Sequence, residues 1–499
     1  MRWSASRLAA ACGGRLQQPG FGPQGPREIV GAFLDSRRPR PGALFVPIVA
    51  ARDGHEFIGD AVAGGAAAVL IAAGHPRAAE LLAAAQRAAP AGTQPAVIEV
   101  DDTLVALQRL ATDRRRGFDG PVVAITGSNG KTTTRAMIAA VLATGYPQVL
   151  CTRGNLNNHL GVPLTLLGEP EQPDAMVIEL GMSAPGENDL LASIVQPTIA
   201  VVTSIALEHL EFMGSIEAIA AAEAEPIAHV QPDPEREHGP VGGLVVVPSD
   251  EPLLAPHVAP AKLQRAGGAV ELVRVGPDAD ADVRVVAVEL VPHERGATTR
   301  VELASREHGA FTVSLQLFGV HNARNAAAAI AVGTALGLPL PPMIEALRQV
   351  EPVGDRGRAI ACGRHLLVAD CYNANPGSVA AALSSMAVLP GARRKLAVLG
   401  DMLELGPDEL ALHAEAGRAC AAAGLDAVVG FGPRSRALVR EAAAAGIDAL
   451  ATEDVDEATA WLLARMHEPS CVLLKGSRGM RLERVVEALQ LALASGAAT

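Results

Sequence analysis

The residues best suited to chemistry are GSNGKTT, positions 127–133. They follow one apolar run, PVVAIT (121–126), and lead into another, AMIAAVLA. A strand, a glycine loop and a helix in that order aim backbone N–H groups and the positive end of a helix at a phosphate. Gly127 and Gly130 permit the turn, and Ser128, Asn129 and Thr133 complete the loop. Lys131 supplies a point charge for the β- and γ-phosphates, and the Thr132 hydroxyl is a ligand for Mg²⁺. The common form of such loops, G-x-x-x-x-G-K-[ST], has its first glycine where this chain has Ile125. A plain glycine turn with a solvated lysine is the bland alternative, and the strand–loop–helix context speaks against it.

A Mg–ATP site needs further oxygen ligands, because Mg²⁺ demands an octahedron. Glu179 closes the run DAMVIEL (174–180), at the strand end where ligands gather in open α/β sheets. His209, in SIALEHLE, follows the next strand, TIAVVTSI (198–205). A lone histidine is more often structural, but its placement one strand along makes it a second metal candidate. The asparagine-rich NLNNHLGVPLTLL (155–167) offers the amides of Asn155 and Asn158 to phosphate or carboxylate groups, although such clusters usually form turns. GFGPRS (430–435) lacks the third glycine and the acidic partner of a dinucleotide fingerprint and reads as a turn.

These residues need elements to position them. At 499 residues the chain exceeds one typical core and suggests two to four domains. The fold class is α/β with three domains. Residues 1–104 form a small α/β N-terminal domain with strands over 44–50, 66–72 and 95–100. Residues 105–350 form a central P-loop ATPase domain with a mainly parallel sheet, an antiparallel flank over about 241–317, and a helix at 322–336. Residues 351–499 alternate strands HLLVAD, KLAVLG, AVVGFG and SCVLLKG with helices over 378–389, 408–424, 434–445 and 454–467, a Rossmann-like doubly wound pattern. The Pro-rich GLPLPP (337–342) and EPVGD (351–355) mark the boundary, and QPDPEREHGP (231–240) reads as an exposed loop.

Composition narrows the function classes. A net charge of −12 argues against a nucleic-acid partner but not against anionic small substrates, which local Arg and Lys clusters can hold. Six cysteines without a C-x-x-C pair indicate neither a zinc site nor a disulfide framework. No uncharged apolar run approaches the ~18 residues of a membrane span. The longest, 61–74, reads as a buried helix–turn–strand. The N-terminus has no continuous apolar core for a secretory signal. A cytoplasmic, monomeric protein is the expectation.

The loop in its shortened form, G-[ST]-x-G-K-[ST], resembles that of the Mur ligase superfamily, and the likeness covers nearly the whole chain. DSRRPRPGALFVP (35–47) with DGHEFI (53–58) looks like the family's uridine-nucleotide domain. NLNNHLGVPLTLL, VIELGMS and HLE–GS are similar to its central ATPase, and FGVHNARNAAAAIAV (318–332) to its adenine-side helix entry. DCYNANPGSVAAAL (370–383), VLGDMLELG (398–406) with His413, and LLKGSRGMRLERVV (473–486) resemble the member that adds the final dipeptide, since members adding earlier residues carry a D-Y-A-H type sequence instead of YNANP. The resemblance implies an ATP- and Mg²⁺-dependent ligase that joins D-alanyl-D-alanine to UDP-N-acetylmuramoyl-tripeptide through an acyl phosphate. Whether the third peptide residue is diaminopimelate or lysine stays open. Residue by residue, it implies that Ser36 and Arg37 contact the nucleotide-sugar and that Asn322 and Asn325 lie on the adenine side. Asp370 binds ribose, either Arg356 or Arg358 reaches the phosphates, and Asn373 and Asn375 position the acceptor.

One position departs from the family. The lysine that relatives carbamylate to help orient Mg²⁺ falls on Glu223, with the next family acid on Glu225 and Pro226 after it. Either Glu223 supplies a shorter, permanent carboxylate, or the second metal site is weakened. An exposed helix glutamate with no role is the simple alternative. The rival functions are another amino-acid ligase of the family and a degenerate, non-catalytic homologue. YNANP speaks against the first, and the presence of Lys131, Glu179 and His209 against the second.

Overall fold

The computed structural model describes residues 2–23, 25–230, 243–265, 268–294 and 296–495, so the loop expected at 231–240 lies outside the described residues. The chain forms two compact units. The first comprises 1–124, 146–181 and 187–197, and the second 125–145, 182–186 and 198–499.

The first unit carries a five-stranded sheet in the order Arg15–Gln18, Ala96–Val100, Ala68–Ala72, Leu44–Phe45, Ala32–Phe33, parallel except for the first edge strand. Its two central strands are almost wholly buried, which is why they read as unbroken apolar runs. The run 61–74 resolves into the end of the helix Ile58–Ala63, a Gly64–Gly65 turn and the strand Ala68–Ala72. The strand expected over 44–50 stops at Phe45, ahead of Pro47, which has no N–H to continue a ladder. The helix Thr103–Arg116 starts at Asp102, whose carboxylate accepts the N–H groups of Leu104 and Val105. At its other end the buried Arg114 donates to the carbonyls of Gly168 and Pro170, and Arg115 to those of Phe118, Val195 and Gln196. Burial pulls both guanidinium pKa values down to about 10, and carbonyl dipoles stand in for carboxylates. Val149–Cys151 pairs in parallel with Ala175–Glu179, whose last residue is the Glu179 singled out above.

In the second unit, Ile199–Val202, Leu244–Pro248, Glu271–Gly276 and Val283–His293 pair in parallel. The antiparallel flank therefore begins only at Val283, with Gly296–Ser305 and Gly309–Leu315. Leu244–Pro248 is buried on both faces and so gives no alternation to distinguish its direction. Helices Lys131–Leu142 and Asn322–Ala335 meet through Gly333, where a Cβ would lie 2.6 Å from Val141 Cγ1 and 2.3 Å from Met343 Sδ. Met343 belongs to the helix Leu340–Arg348, so the proline-rich stretch read as a joint is a helix start with prolines in its first turn.

The same unit holds a six-stranded sheet in the order Arg358–Cys362, His365–Asp370, Ser470–Lys475, Arg394–Gly400, Ala427–Phe431, Asp448–Thr452. The four strands expected are present and parallel, and the helices Pro376–Val388, Glu409–Ala422, Ser435–Ala444 and Val455–Leu463 alternate with them. Both edge strands escaped the sequence reading. DALAT is poor in β-branched residues, and RAIAC is short and only half-buried. No described helix is long and apolar enough to cross a membrane.

Candidate active site

The phosphate-type loop is shaped by what lies behind it. Gly127 and Gly130 take φ values of 117° and 87°. A Cβ on Gly127 would come within 2.3 Å of Thr203 Oγ1, and one on Gly130 within 2.8 Å of Asn325 Oδ1, so both positions demand glycine on two counts. The following strand end clamps the loop. Ser128 N–H donates to Ser204 O (2.8 Å), Asn129 N–H to Ser204 Oγ (3.0 Å), and Thr203 Oγ1 to Asn129 O (2.6 Å). The helix then opens at Lys131 with no side-chain cap on its first turn, where Thr132 is buried. An uncapped helix N-terminus behind a glycine turn is an anion cradle.

Lys131 Nζ donates to Gly127 O (2.5 Å) and lies 3.9 Å from Glu208 Oε1. Glu208 was missed in the sequence, where it stands directly before His209. Glu223 is 1% exposed, which overturns the simple alternative of a solvated helix residue. Its Oε2 accepts Gly127 N–H at 2.8 Å, and its carbonyl accepts Thr126 Oγ1 at 2.7 Å. The Glu208 carboxyl hydrogen-bonds to that of Glu223. Burial is the main reason that the Glu208 pKa rises to about 8; Lys131 opposes the rise and the Glu223 carboxylate adds to it.

Two further contacts join this region to the six-stranded part of the same unit. His209 Nδ1 lies 2.5 Å from Glu404 Oε2, and both residues have left-handed backbones, φ 49° and 64°. Asn129 Nδ2 donates to Asn375 Oδ1 (3.2 Å), and Asn375 Nδ2 donates back to Asn129 Oδ1 (3.0 Å). Asp370 ends its strand ion-paired with the buried Lys475 at 2.7 Å, and Lys475 also donates to Asn373 O (3.0 Å). Lys475 carried no signal beyond its place in LLKGSRG. Arg356 lies 3.5 Å over the Tyr372 ring, whereas Arg358 pairs with Asp355 at 2.8 Å. Asn325 donates to Asn322 Oδ1, and Asn322 to Phe318 O, beneath the loop. GFGPRS is a turn that serves Asp401. This fully buried carboxylate accepts from Ser435 N–H (2.7 Å) and Arg434 N–H (3.2 Å), and a Cβ on Gly432 would meet it at 2.6 Å. An internal carboxylate thus occupies that helix N-terminus.

The remaining sequence candidates lie in the first unit. Glu179 Oε1 accepts from Asn157 Nδ2 at 3.0 Å, and Gly181 leaves room for that amide. The neighbour Asn157, not Asn155 or Asn158, therefore holds this acid. Asn155 is exposed, and Asn158 Oδ1 accepts Gly161 N–H at the start of the helix Gly161–Leu166. Arg37 is exposed and bidentate to Asp35, beside the half-buried Ser36. Asp53, His55 and His75 gather as a metal site would, but the ring nitrogens are spent. His55 Nε2 accepts Ala72 N–H and His75 Nδ1 accepts Arg77 N–H, while the other nitrogen of each ring bonds Asp53. The trio is a structural clamp.

Residues 125–333 match the Mur ligase middle domain, and residues 355–478 the Mur ligase glutamate ligase domain. The UDP-N-acetylmuramoyl-tripeptide–D-alanyl-D-alanine ligase of Bacillus subtilis is 35% identical over 92% of this chain and 93% of its own length. That of Escherichia coli is 34% identical over 91% and 92%. The crystal structure of MurF from Acinetobacter baumannii superposes with a TM-score of 0.82 at 30% identity, over 98% of this chain and 99% of that one. MurF from Thermotoga maritima, solved in complex with ADP, gives 0.76 at 26% identity, over 94% and 98%. With two family models in sequence order and relatives above 30% identity along almost its whole length, this chain belongs to the Mur ligase family.

Proposed function

We propose that this chain joins D-alanyl-D-alanine to UDP-N-acetylmuramoyl-tripeptide, forming the pentapeptide nucleotide used in peptidoglycan synthesis and converting ATP to ADP and phosphate. The observation that carries the reading is the glycine cradle at 127–130 with Lys131 at its mouth, in a chain whose full-length relatives bear this activity in their names. We assign residues 1–104 to the uridine nucleotide, 105–350 to ATP and 351–499 to the acceptor and the closing contacts. The two matched family domains support the latter pair. The enzyme acts in the cytoplasm, where such nucleotides are made, and as a monomer.

The residues present fit a nucleotide phosphate with Mg²⁺. The cradle has no space for a Cβ at either glycine, its helix is uncapped, and Glu208 Oε1 is a buried acceptor with no hydrogen-bond donor among the described residues. Thr132, Glu179 and His209 would hold the ion, an assignment that rests on the likeness in sequence. Bound there, Mg²⁺ would neutralise charge on the phosphates during transfer.

An amine does not displace oxygen from a carboxylate at useful rates, so the tripeptide's terminal carboxylate first takes the γ-phosphoryl group of ATP. Lys131 moves from its loop carbonyls to the charge developing on the transferred group. The D-alanyl-D-alanine amine then attacks the acyl phosphate, and the tetrahedral intermediate expels phosphate. Asp370, oriented by Lys475, receives the ribose. Arg356 is favoured over Arg358 for the phosphates, because its stacking on Tyr372 sets it beside the 370–375 segment. Asn373 and Asn375 belong to the acceptor segment, and Glu223 stands behind the loop as a permanent carboxylate. The test incubates the protein with ATP, D-alanyl-D-alanine and either the diaminopimelate or the lysine tripeptide nucleotide, then weighs the products. Pentapeptide mass with one of them establishes the reaction, and no mass gain with either sinks it.

A further inference from the structure

We propose that Asn129 and Asn375 form a positioning pair that docks the acceptor segment on the phosphate loop. The proposal rests on the reading of the loop given above. Asn129 lies within the middle-domain match and Asn375 within the glutamate-ligase match, so the pair joins two functional parts of the chain. Each amide donates to the other, at 3.2 Å and 3.0 Å. Such reciprocity uses an asparagine's donor and acceptor together, and aspartate, glutamine or serine at either position would break it.

Neither amide is free to turn. Asn375 is 4% exposed, and its Oδ1 also accepts Ser378 N–H at 2.8 Å as the cap of the helix Pro376–Val388. Ser378 Oγ in turn lies 3.0 Å from Asn375 N, which completes a capping box. Asn129 is held from behind by Ser204 and Thr203, the residues that clamp the loop. Gly377 makes the approach possible, since a Cβ there would come 2.7 Å from Ala206 Cβ. The His209–Glu404 contact joins the same two parts at a second point. A loop displaced from its clamp would carry Asn129 out of register with Asn375. The pair therefore lets the helix Pro376–Val388, with Asp370 and Asn373 just before it, seat only on a correctly formed loop.

Serine at 375 retains the helix cap but is too short to reach Asn129, so Asn375→Ser separates the pair from the fold. The experiment is a double-mutant cycle of Asn129→Ala, Asn375→Ser and both in the full-length enzyme, reading kcat, the KM for ATP and Tm. We expect each single variant to lose about tenfold in kcat, the double variant no more than either single, and KM and Tm to hold. Losses that multiply, a kcat within twofold of wild type in Asn375→Ser, or a fall in Tm that accounts for the loss would overturn the pair. A short bifunctional thiol reagent on Asn129→Cys/Asn375→Cys gives an independent reading that needs no turnover. Cross-linking beyond that of the single-cysteine variants is expected, and its absence overturns the contact even if the ligase reaction stands.

Discussion

Glu223→Ala tests what the departure from the family does. In the wild type this side chain is 1% exposed and accepts Gly127 N–H at 2.8 Å. Alanine removes that acceptor and leaves a buried N–H at the base of the loop, while the bond from Thr126 Oγ1 to the backbone carbonyl survives. A hydrogen bond to a charged group contributes about 1.5–3 kcal/mol. Against this, Glu208 is relieved of a carboxylate neighbour, so the net loss of stability should be about 1–2 kcal/mol. The larger effect is on geometry, since a misplacement of about 1 Å at a reacting group costs on the order of 100-fold in rate. We expect kcat to fall about 10- to 100-fold. Glu223→Gln still offers an oxygen to Gly127 N–H and should stay within about threefold of wild type if holding the loop is the main task. The assay is steady-state ligase turnover at a series of Mg²⁺ concentrations, with and without bicarbonate depletion. Wild-type activity should ignore bicarbonate, because this carboxylate is part of the side chain. If Gln is as damaging as Ala and both shift the Mg²⁺ requirement upward, the charge acts on the metal and loop anchoring is refuted.

Lys131→Ala should abolish turnover and lower Tm only modestly, since what it gives up includes bonds to two loop carbonyls and a 3.9 Å contact with Glu208; more than a few per cent residual activity would misplace the ATP site. Glu208 holds its proton in the folded state up to about pH 8 but releases it near 4.5 when unfolded, so stability should decline as pH rises between those values. Glu208→Gln should flatten that decline, and urea midpoints at pH 5 and 8 that drop equally in both proteins would show the carboxyl is not the cause. Asp53→Ala strips the buried His55 of its hydrogen-bond acceptor and should lower stability by about 1–3 kcal/mol without binding any metal; a zinc- or nickel-dependent Tm in the wild type would contradict the clamp.

The chemistry near the loop was legible from sequence because it is local. Gly127, Gly130, Lys131 and Thr132 act through their places in one strand–turn–helix, and hydrophobic patterning over ten residues either side is enough to set that unit. The doubly wound alternation after residue 351 was legible for the same reason. What patterning could not show is which strands run parallel when both faces are buried, as at Leu244–Pro248, or edge strands as weak as DALAT. The partners of the site residues were equally hidden, because they are set by approaches between distant segments. Glu223 could be read as a solvated acid until packing buried it against Gly127 and Glu208. Asn375 could be read as a contact for substrate, but its bond to Asn129, 246 positions away, shows only in the fold. Sequence alone pointed to the nucleotide-phosphate site, since a phosphate cradle and its lysine need only neighbouring residues, and the likeness to the Mur ligases implied the reaction. Tertiary structure alone decided which carboxylates, amides and lysines support that cradle, because hydrogen bonds between buried groups exist only once the desolvating core has closed around them.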